Sequence, residues 1–360
     1  MKHTTRSGFV LVLTLMVLSL AVVIVTYLFN RGNTNIVYMH AMVEREKARM
    51  LALSGVQVAI AQLAQEIKVE QKKQAGTPAT QTAPGQNTQQ AGGDSNIVAQ
   101  KLLERIVPTI NRWQKFSLKE STDSIDGQID ICIVCEQGKL DINQMFDFKK
   151  HEWRGGSKIL MQQLFKLLKK EDSFAQFEKF LKDRQYRLDD VTELLAIKGF
   201  ETFKSHIFYM PPTEQEKDEK MRPLYLTDLF TVWSGKQTLD PWVFSDSLCG
   251  LLGLKRALAN DIEQRKKSIA GAAKNFTGTV QWDKDWNKLL NPLYEKEFKS
   301  LPKGLDMILS TKFEPTAFSV LSYGKVGGMV QRVVAIIEST QQLKDNVYSF
   351  TVVIKKLYWI

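Results

Sequence analysis

From Phe9 to Phe29 the chain reads FVLVLTLMVLSLAVVIVTYLF, without a single charge. As a helix these 21 residues would span ~32 Å, enough to cross the hydrocarbon core of a bilayer. The leader before them, MKHTTRSG, carries Lys2, His3 and Arg6 and ends in Gly8. Three fates are open to such a run. A secretory signal removed on export has an apolar region of about 7–15 residues that closes on a small-x-small site. This run is longer, and Val25 to Phe29 offers no such site. The run is then either a plain membrane anchor or a helix kept after processing ahead of it, at the Gly8–Phe9 bond. Lys2 and Arg6 precede the span; Arg31 follows it, then Glu44, Arg45, Glu46 and Lys47 in mixed sign. That balance favours an N-in orientation, with the bulk of the chain outside the cytoplasm.

A basic leader ending in Gly, then Phe, then an apolar helix resembles the class III signal of the type IV pilin and type II secretion pseudopilin families. The resemblance implies that a prepilin peptidase cuts after Gly8 and that the new amino group of Phe9 is methylated. The fifth residue after the cut is Leu13, where those families usually carry Glu. The resemblance gives that Glu a partner, the terminal amine of the neighbouring subunit inside the filament. A buried amine without its partner is costly, so a subunit lacking the Glu fits the tip, where no neighbour stands above it. The member of these families that lacks it is the large minor pseudopilin K of type II secretion.

Beyond the span, Asn30, Arg31, Gly32 and Asn33 form a polar patch with a poor helix former, either a break or a soft point in a longer helix. Ala41, Ala48, Ala52, Val56, Ala59 and Leu63 then recur at helical spacing, with most charges off that face. Small residues at Ala48, Ala52, Gly55 and Ala59 let another backbone come close, which suits a stem-packing face or an ordinary tight core. VEREKARMLALSGVQVAIAQL also resembles the amphipathic second half of a pseudopilin stem.

Gln71 to Ser95 is a Gln-, Thr-, Ala-, Gly- and Pro-rich stretch without an apolar face and reads as a flexible linker. A short amphipathic helix is expected from Asn96, leading to Trp113. Asp126 to Asn143 reads as a β-hairpin that turns at Gln137–Gly138, and its LDIN resembles a strand of minor pseudopilin K. From about Lys149 to Met307 the pattern is helical, punctuated by Gly, Pro and Asp/Asn, with a charged loop from Pro211 to Arg222. Within it RLDDVTELLAIKGF resembles a helix–turn–helix element of a SAM-like fold. It also resembles a DNA-gripping helix-hairpin-helix, but Glu201 stands where that motif wants its second Gly. DPWVFSDSLCGLLGL resembles a segment of the same family's helical domain, with Asp240 in place of Asn. From Thr316 the period becomes that of strands, and FSVLSYGKVGGMVQRVVAII resembles the family's C-terminal sheet.

A net charge of +10 suggests an acidic partner or simple solubility. Lys166, Lys169, Lys170, Lys179, Lys182 and the run Arg265–Lys267 are dispersed among acids, so they read as solvated helix faces rather than a nucleic-acid surface. Three cysteines make no disulfide framework. Cys132 and Cys135 lie three apart on an expected strand and so point to opposite faces, which argues against a redox pair or a metal clip. His3, His40, His151 and His206 are isolated, and no nucleophile motif or phosphate loop is present. The chain is therefore read as non-enzymatic. Asp123, Asp126 and Asp130, or Asp283 and Asp285, are the groups that could approach a cation. The resemblance implies calcium in the helical domain without placing its ligands, so the metal site is unknown from sequence.

The expected architecture is α+β: a pilin-like N-terminal stem helix packed on a small antiparallel sheet, with a large inserted all-α domain. Its parts are a leader (1–8), membrane and stem helix (9–70), linker (71–95), first part of the αβ domain (96–148), helical insertion (149–310) and β-meander (311–360). The resemblance implies a minor pseudopilin at the tip of a type II secretion pseudopilus, in the inner membrane by a single pass, with its C-terminal part periplasmic. Its partners would be the I- and J-type minor pseudopilins, the major pseudopilin and the prepilin peptidase. The alternatives are a minor pilin of a type IV pilus and a membrane-anchored DNA-binding protein for uptake.

Overall fold

The computed structural model describes residues 6–68, 91–211, 222–256, 262–274, 276, 280–344 and 347–360. Helix α1 runs unbroken from Arg6 to Leu63. The polar patch is thus a soft point and not a break: the Thr34 hydroxyl donates to the Asn30 carbonyl across it. The expected stem to residue 70 ends sooner. The chain leaves the helix after Leu63, and Ile67–Lys68 is strand β1. Helix α2, Ala91–Ile106, begins before the expected Asn96. Of the expected linker, residues 71–90 lie outside the described residues, as do 1–5 of the leader, 212–221 of the charged loop and 345–346 of the last turn.

Strands β2 (Trp113–Leu118), β3 (Gly127–Cys135), β4 (Ala317–Val326), β5 (Met329–Lys344) and β6 (Val347–Trp359) complete a six-stranded sheet ordered β1-β6-β5-β4-β3-β2. Every neighbouring pair is antiparallel. β4, β5 and β6 form the expected meander. Gly327 takes the left-handed backbone (φ 53°) that its tight first turn needs.

The expected hairpin between Asp126 and Asn143 does not form. β3 pairs with β2 on one side and β4 on the other, while Leu140–Asp141 pairs in parallel with Phe230–Thr231. The cause lies at Glu136–Gly138, a short 3₁₀ turn. The Gln137 carbonyl accepts from the Asp240 amide and the Gly138 carbonyl from the Ser245 amide. A Cβ on Gly138 would sit 1.7 Å from the Val243 carbonyl oxygen. These contacts carry the chain away from the sheet into the insertion. The true partner, β2, is mostly solvent-facing and lacks an apolar alternation to announce it.

The insertion leaves the sheet after Cys135 and rejoins it at Ala317, wider than the expected 149–310. Its longer helices are α3 (Ser157–Leu167), α4 (Glu171–Lys182), α5 (Asp246–Leu252), α6 (Ile262–Lys274) and α7 (Trp282–Leu289). Within the stretch expected to be helical, RLDDVTELLAIKGF and the residues after it form instead short 3₁₀ segments, Val191–Ala196 and Glu201–Phe203. The buried side chains of α1, one sheet face and the insertion form one contiguous core. The other sheet face (Cys132, Val134, Leu321, Tyr323, Val334, Ile336) packs on Tyr209 and Tyr225. Cys132 and Cys135 thus lie on opposite faces, and all three cysteines are buried free thiols.

Candidate assembly surface

The first 38 residues of α1, Arg6–Val43, project beyond the packed core. Phe9 is 71% exposed and Leu13 50%. Gly8 belongs to the helix by its backbone. Among the described residues α1 is the one helix long and apolar enough to cross a membrane. Its Thr and Ser hydroxyls within the run are internally satisfied. Thr14, Ser19 and Thr26 donate to the carbonyls of Leu11, Met16 and Val22, as a segment surrounded by hydrocarbon requires.

A second apolar stretch follows the polar patch: Ile36, Val37, Tyr38, Met39, Met42 and Val43 are all exposed. From Phe9 to Val43 the helix measures ~52 Å, against a hydrocarbon core of ~30 Å. A bilayer that covers Phe9–Phe29 leaves Ile36–Val43 outside it, an apolar surface of the kind that marks a protein contact.

Ala48, Ala52, Gly55 and Ala59 are buried, the three alanines completely. Their partner is this chain's own sheet. A Cβ on Gly55 would stand 2.1 Å from Ser322 Oγ, and one on Gly324 would stand 2.0 Å from the Ala48 carbonyl oxygen and 2.5 Å from the Ala52 nitrogen. The small residues therefore let α1 lie on β4 backbone to backbone. Gly324 was not singled out from sequence. Its signal was a glycine inside an otherwise regular strand, which marks close backbone approach.

In the insertion, Asp190 caps the Val191 turn in a reciprocal box with Glu193, and Tyr358 on β6 donates to Asp190 Oδ2 at 3.0 Å. The Gly199 amide donates to Glu201 Oε2 at 2.6 Å, so the group that would grip a nucleic-acid phosphate is engaged within the chain. Asp240 caps the next turn by accepting from the Trp242 amide, and burial pushes its carboxyl up to about 7. Burial likewise raises Asp141 to about 6, although Ser234 and Gln144 donate to it. Trp242, Trp282 and Trp286 close this core with edge-to-face contacts.

Three of the five aspartates that could approach a cation are engaged otherwise. Asp130 pairs with Lys325 at 2.6 Å, Asp123 accepts from the Lys119 amide and the Thr122 hydroxyl, and Asp285 accepts from the Gln281 amide. Among the described residues no three His, Cys, Asp or Glu side chains gather as a metal-ligand set, so these residues do not fit a calcium ion.

No family model matches the chain, and no curated protein matches it. Among solved structures it is similar to a chain in the crystal structure of the GspK–GspI–GspJ complex of the type 2 secretion system of enterotoxigenic Escherichia coli. The match has 14% identity and a TM-score of 0.41, and covers 91% of this chain and 99% of that one.

Proposed function

We propose that this chain is a minor pseudopilin of the type II secretion kind, which stands at the tip of a pseudopilus and initiates its assembly. The observation that carries the reading is α1: a helix exposed from Phe9 to Val43, longer in its apolar surface than a bilayer is thick, fixed rigidly to a folded head. A plain anchor needs the first stretch alone. A filament subunit needs both, because in a filament the stems of neighbouring subunits cover one another. The leader ending in Gly8, followed by Phe9, supports the pseudopilin reading by resemblance, and Leu13 in place of the usual Glu supports a tip position by resemblance to minor pseudopilin K.

On this reading the chain is assembled and is not an enzyme. A prepilin peptidase cuts after Gly8 and Phe9 is methylated. The head lies in the periplasm and the span in the inner membrane. I- and J-type minor pseudopilins and the major pseudopilin contact the exposed stem. Mass spectrometry of the membrane-extracted protein tests the first step. The expected N-terminus is methylated Phe9; an intact Met1 would leave a plain anchor. A photo-crosslinking residue at Met39 tests the second. It should capture small subunits bearing the same type of leader, whereas capture of lipid alone would sink the assembly role.

A further inference from the structure

A half-open cavity of about 320 Å³ lies between the second face of the sheet and the insertion. Its walls are in larger part apolar, with Val134, Leu321, Val334 and Ile336 from the sheet and Phe208 and Trp233 from the insertion, interrupted by charged and hydroxyl side chains. An apolar cavity of about 150 Å³ already holds a benzene ring, and this one is roughly twice that size. Among the residues lining it is an ion pair. Lys139 Nζ lies 2.5 Å from Glu136 Oε1, with the two side chains 3% and 2% exposed. Glu136 Oε2 accepts from the Thr231 hydroxyl, and Lys139 Nζ also donates to Ser319 Oγ at 3.0 Å. Both carboxylate oxygens are thus engaged. An ammonium has three N–H groups, and among the described residues only two of those of Lys139 have partners.

We propose that this cavity is a binding site for an uncharged apolar molecule of about one ring that carries a single hydrogen-bond acceptor, a carbonyl or ether oxygen. Apolar walls supply the affinity, and the third N–H of Lys139 reads the acceptor. A buried ion pair is costly relative to apolar side chains of the same volume, and here it stands at the edge of a largely apolar cavity. The charge balance excludes an anion. Glu136 already neutralises Lys139, and Asp190 and Asp228 also line the cavity. This site is independent of the pseudopilus reading and stands or falls separately.

The test is a titration of the full chain in lipid nanodiscs, followed by methyl NMR of Leu321, Val334 and Ile336, with acetophenone, ethylbenzene and benzoate as probes. Acetophenone should shift these methyls saturably. Ethylbenzene, which lacks the acceptor, should bind about tenfold more weakly, the worth of one hydrogen bond to a charged donor. Benzoate should not bind. The paired change Glu136→Gln with Lys139→Met removes both charges together and should erase the preference for acetophenone over ethylbenzene. If that variant does not fold, the ranking of the three probes on the native chain decides alone. Equal binding of acetophenone and ethylbenzene, tighter binding of benzoate, or no saturable shift at these methyls would overturn the assignment.

Discussion

Gly324 and Gly55 set how closely α1 lies on the sheet, and they differ in what they face. A methyl at Gly324 meets the α1 backbone at Ala48 and Ala52, which cannot turn aside, whereas one at Gly55 meets side chains, the Ser322 hydroxyl and the Cγ2 methyls of Ile129 and Ile131, so the helix preference for alanine offsets part of its cost. Gly324→Ala should therefore cost about 2–3 kcal/mol, Gly55→Ala about 1 kcal/mol, and Gly328→Ala, with nothing within 4 Å, close to zero. Thermal unfolding of the three variants in one detergent gives the order, and a Gly324→Ala as stable as Gly328→Ala would refute the close approach. Asp240 acts by charge. Its carboxyl titrates near 4 when unfolded and at about 7 when folded, so the folded state holds the proton more tightly. The stability it contributes is whole below pH ~4 and is lost as pH rises toward 7. Asp240→Asn keeps an acceptor for the Trp242 amide and removes the titration. The variant should gain stability over the native chain, on the order of a few kcal/mol at most, when unfolding is measured at pH 8, and the gain should vanish at pH 4. The apolar half of this scale was legible in advance, since Ala48, Ala52, Ala59 and Leu63 recur at helical spacing. Gly324 was harder to find, because a glycine's role depends on what packs over it.

Among the elements, α1 is where period and length sufficed and the hairpin is where they did not. Alternation at Ile129, Ile131 and Ile133 identified a strand, but pairing is decided by backbone groups that the side-chain pattern does not report. Gln137 and Gly138 gave their carbonyls to Asp240 and Ser245, about a hundred residues away, and the local turn lost to that distant pairing. The same limit explains the 3₁₀ turns of RLDDVTELLAIKGF. An aspartate at 189 or 190 suited a helix cap, and Asp190 is the one that caps, but Ile197 is extended, so the helix that the cap starts is not continued. Within α1 the polar patch retains a local weakness. Gly32 has open space around it, and a glycine in an exposed helix costs about 1 kcal/mol relative to alanine. Gly32→Ala should slow amide exchange at residues 30–36 by about fivefold and leave the unfolding temperature of the head unchanged. Unchanged exchange there would mean that the patch is no soft point.

At the scale of the whole molecule, a chain of 360 residues with a helical insertion would ordinarily be expected to unfold in parts. The contacts argue otherwise. The Asn111 amide donates to the Phe244 carbonyl, Gln100 to that of Phe276, Tyr323 to that of Tyr209 and Tyr358 to Asp190. The first two bonds tie α2 and the segment after it, and the last two the sheet itself, to the insertion, over a core that runs through all of them without interruption. Removing the insertion would strip Tyr209 and Tyr225 from the sheet face of Cys132, Val134, Leu321 and Tyr323, all buried, so the sheet loses one of its two apolar covers. The head should then unfold as one unit. Tryptophan fluorescence reports mainly on Trp242, Trp282 and Trp286 in the insertion, and hydrogen exchange of β4 and β5 reports on the sheet. Both should show the same denaturant midpoint. An insertion that melts first, with β4 and β5 still protected, would show two independent domains. A single transition would mean that the insertion is energetically coupled through the sheet to α1.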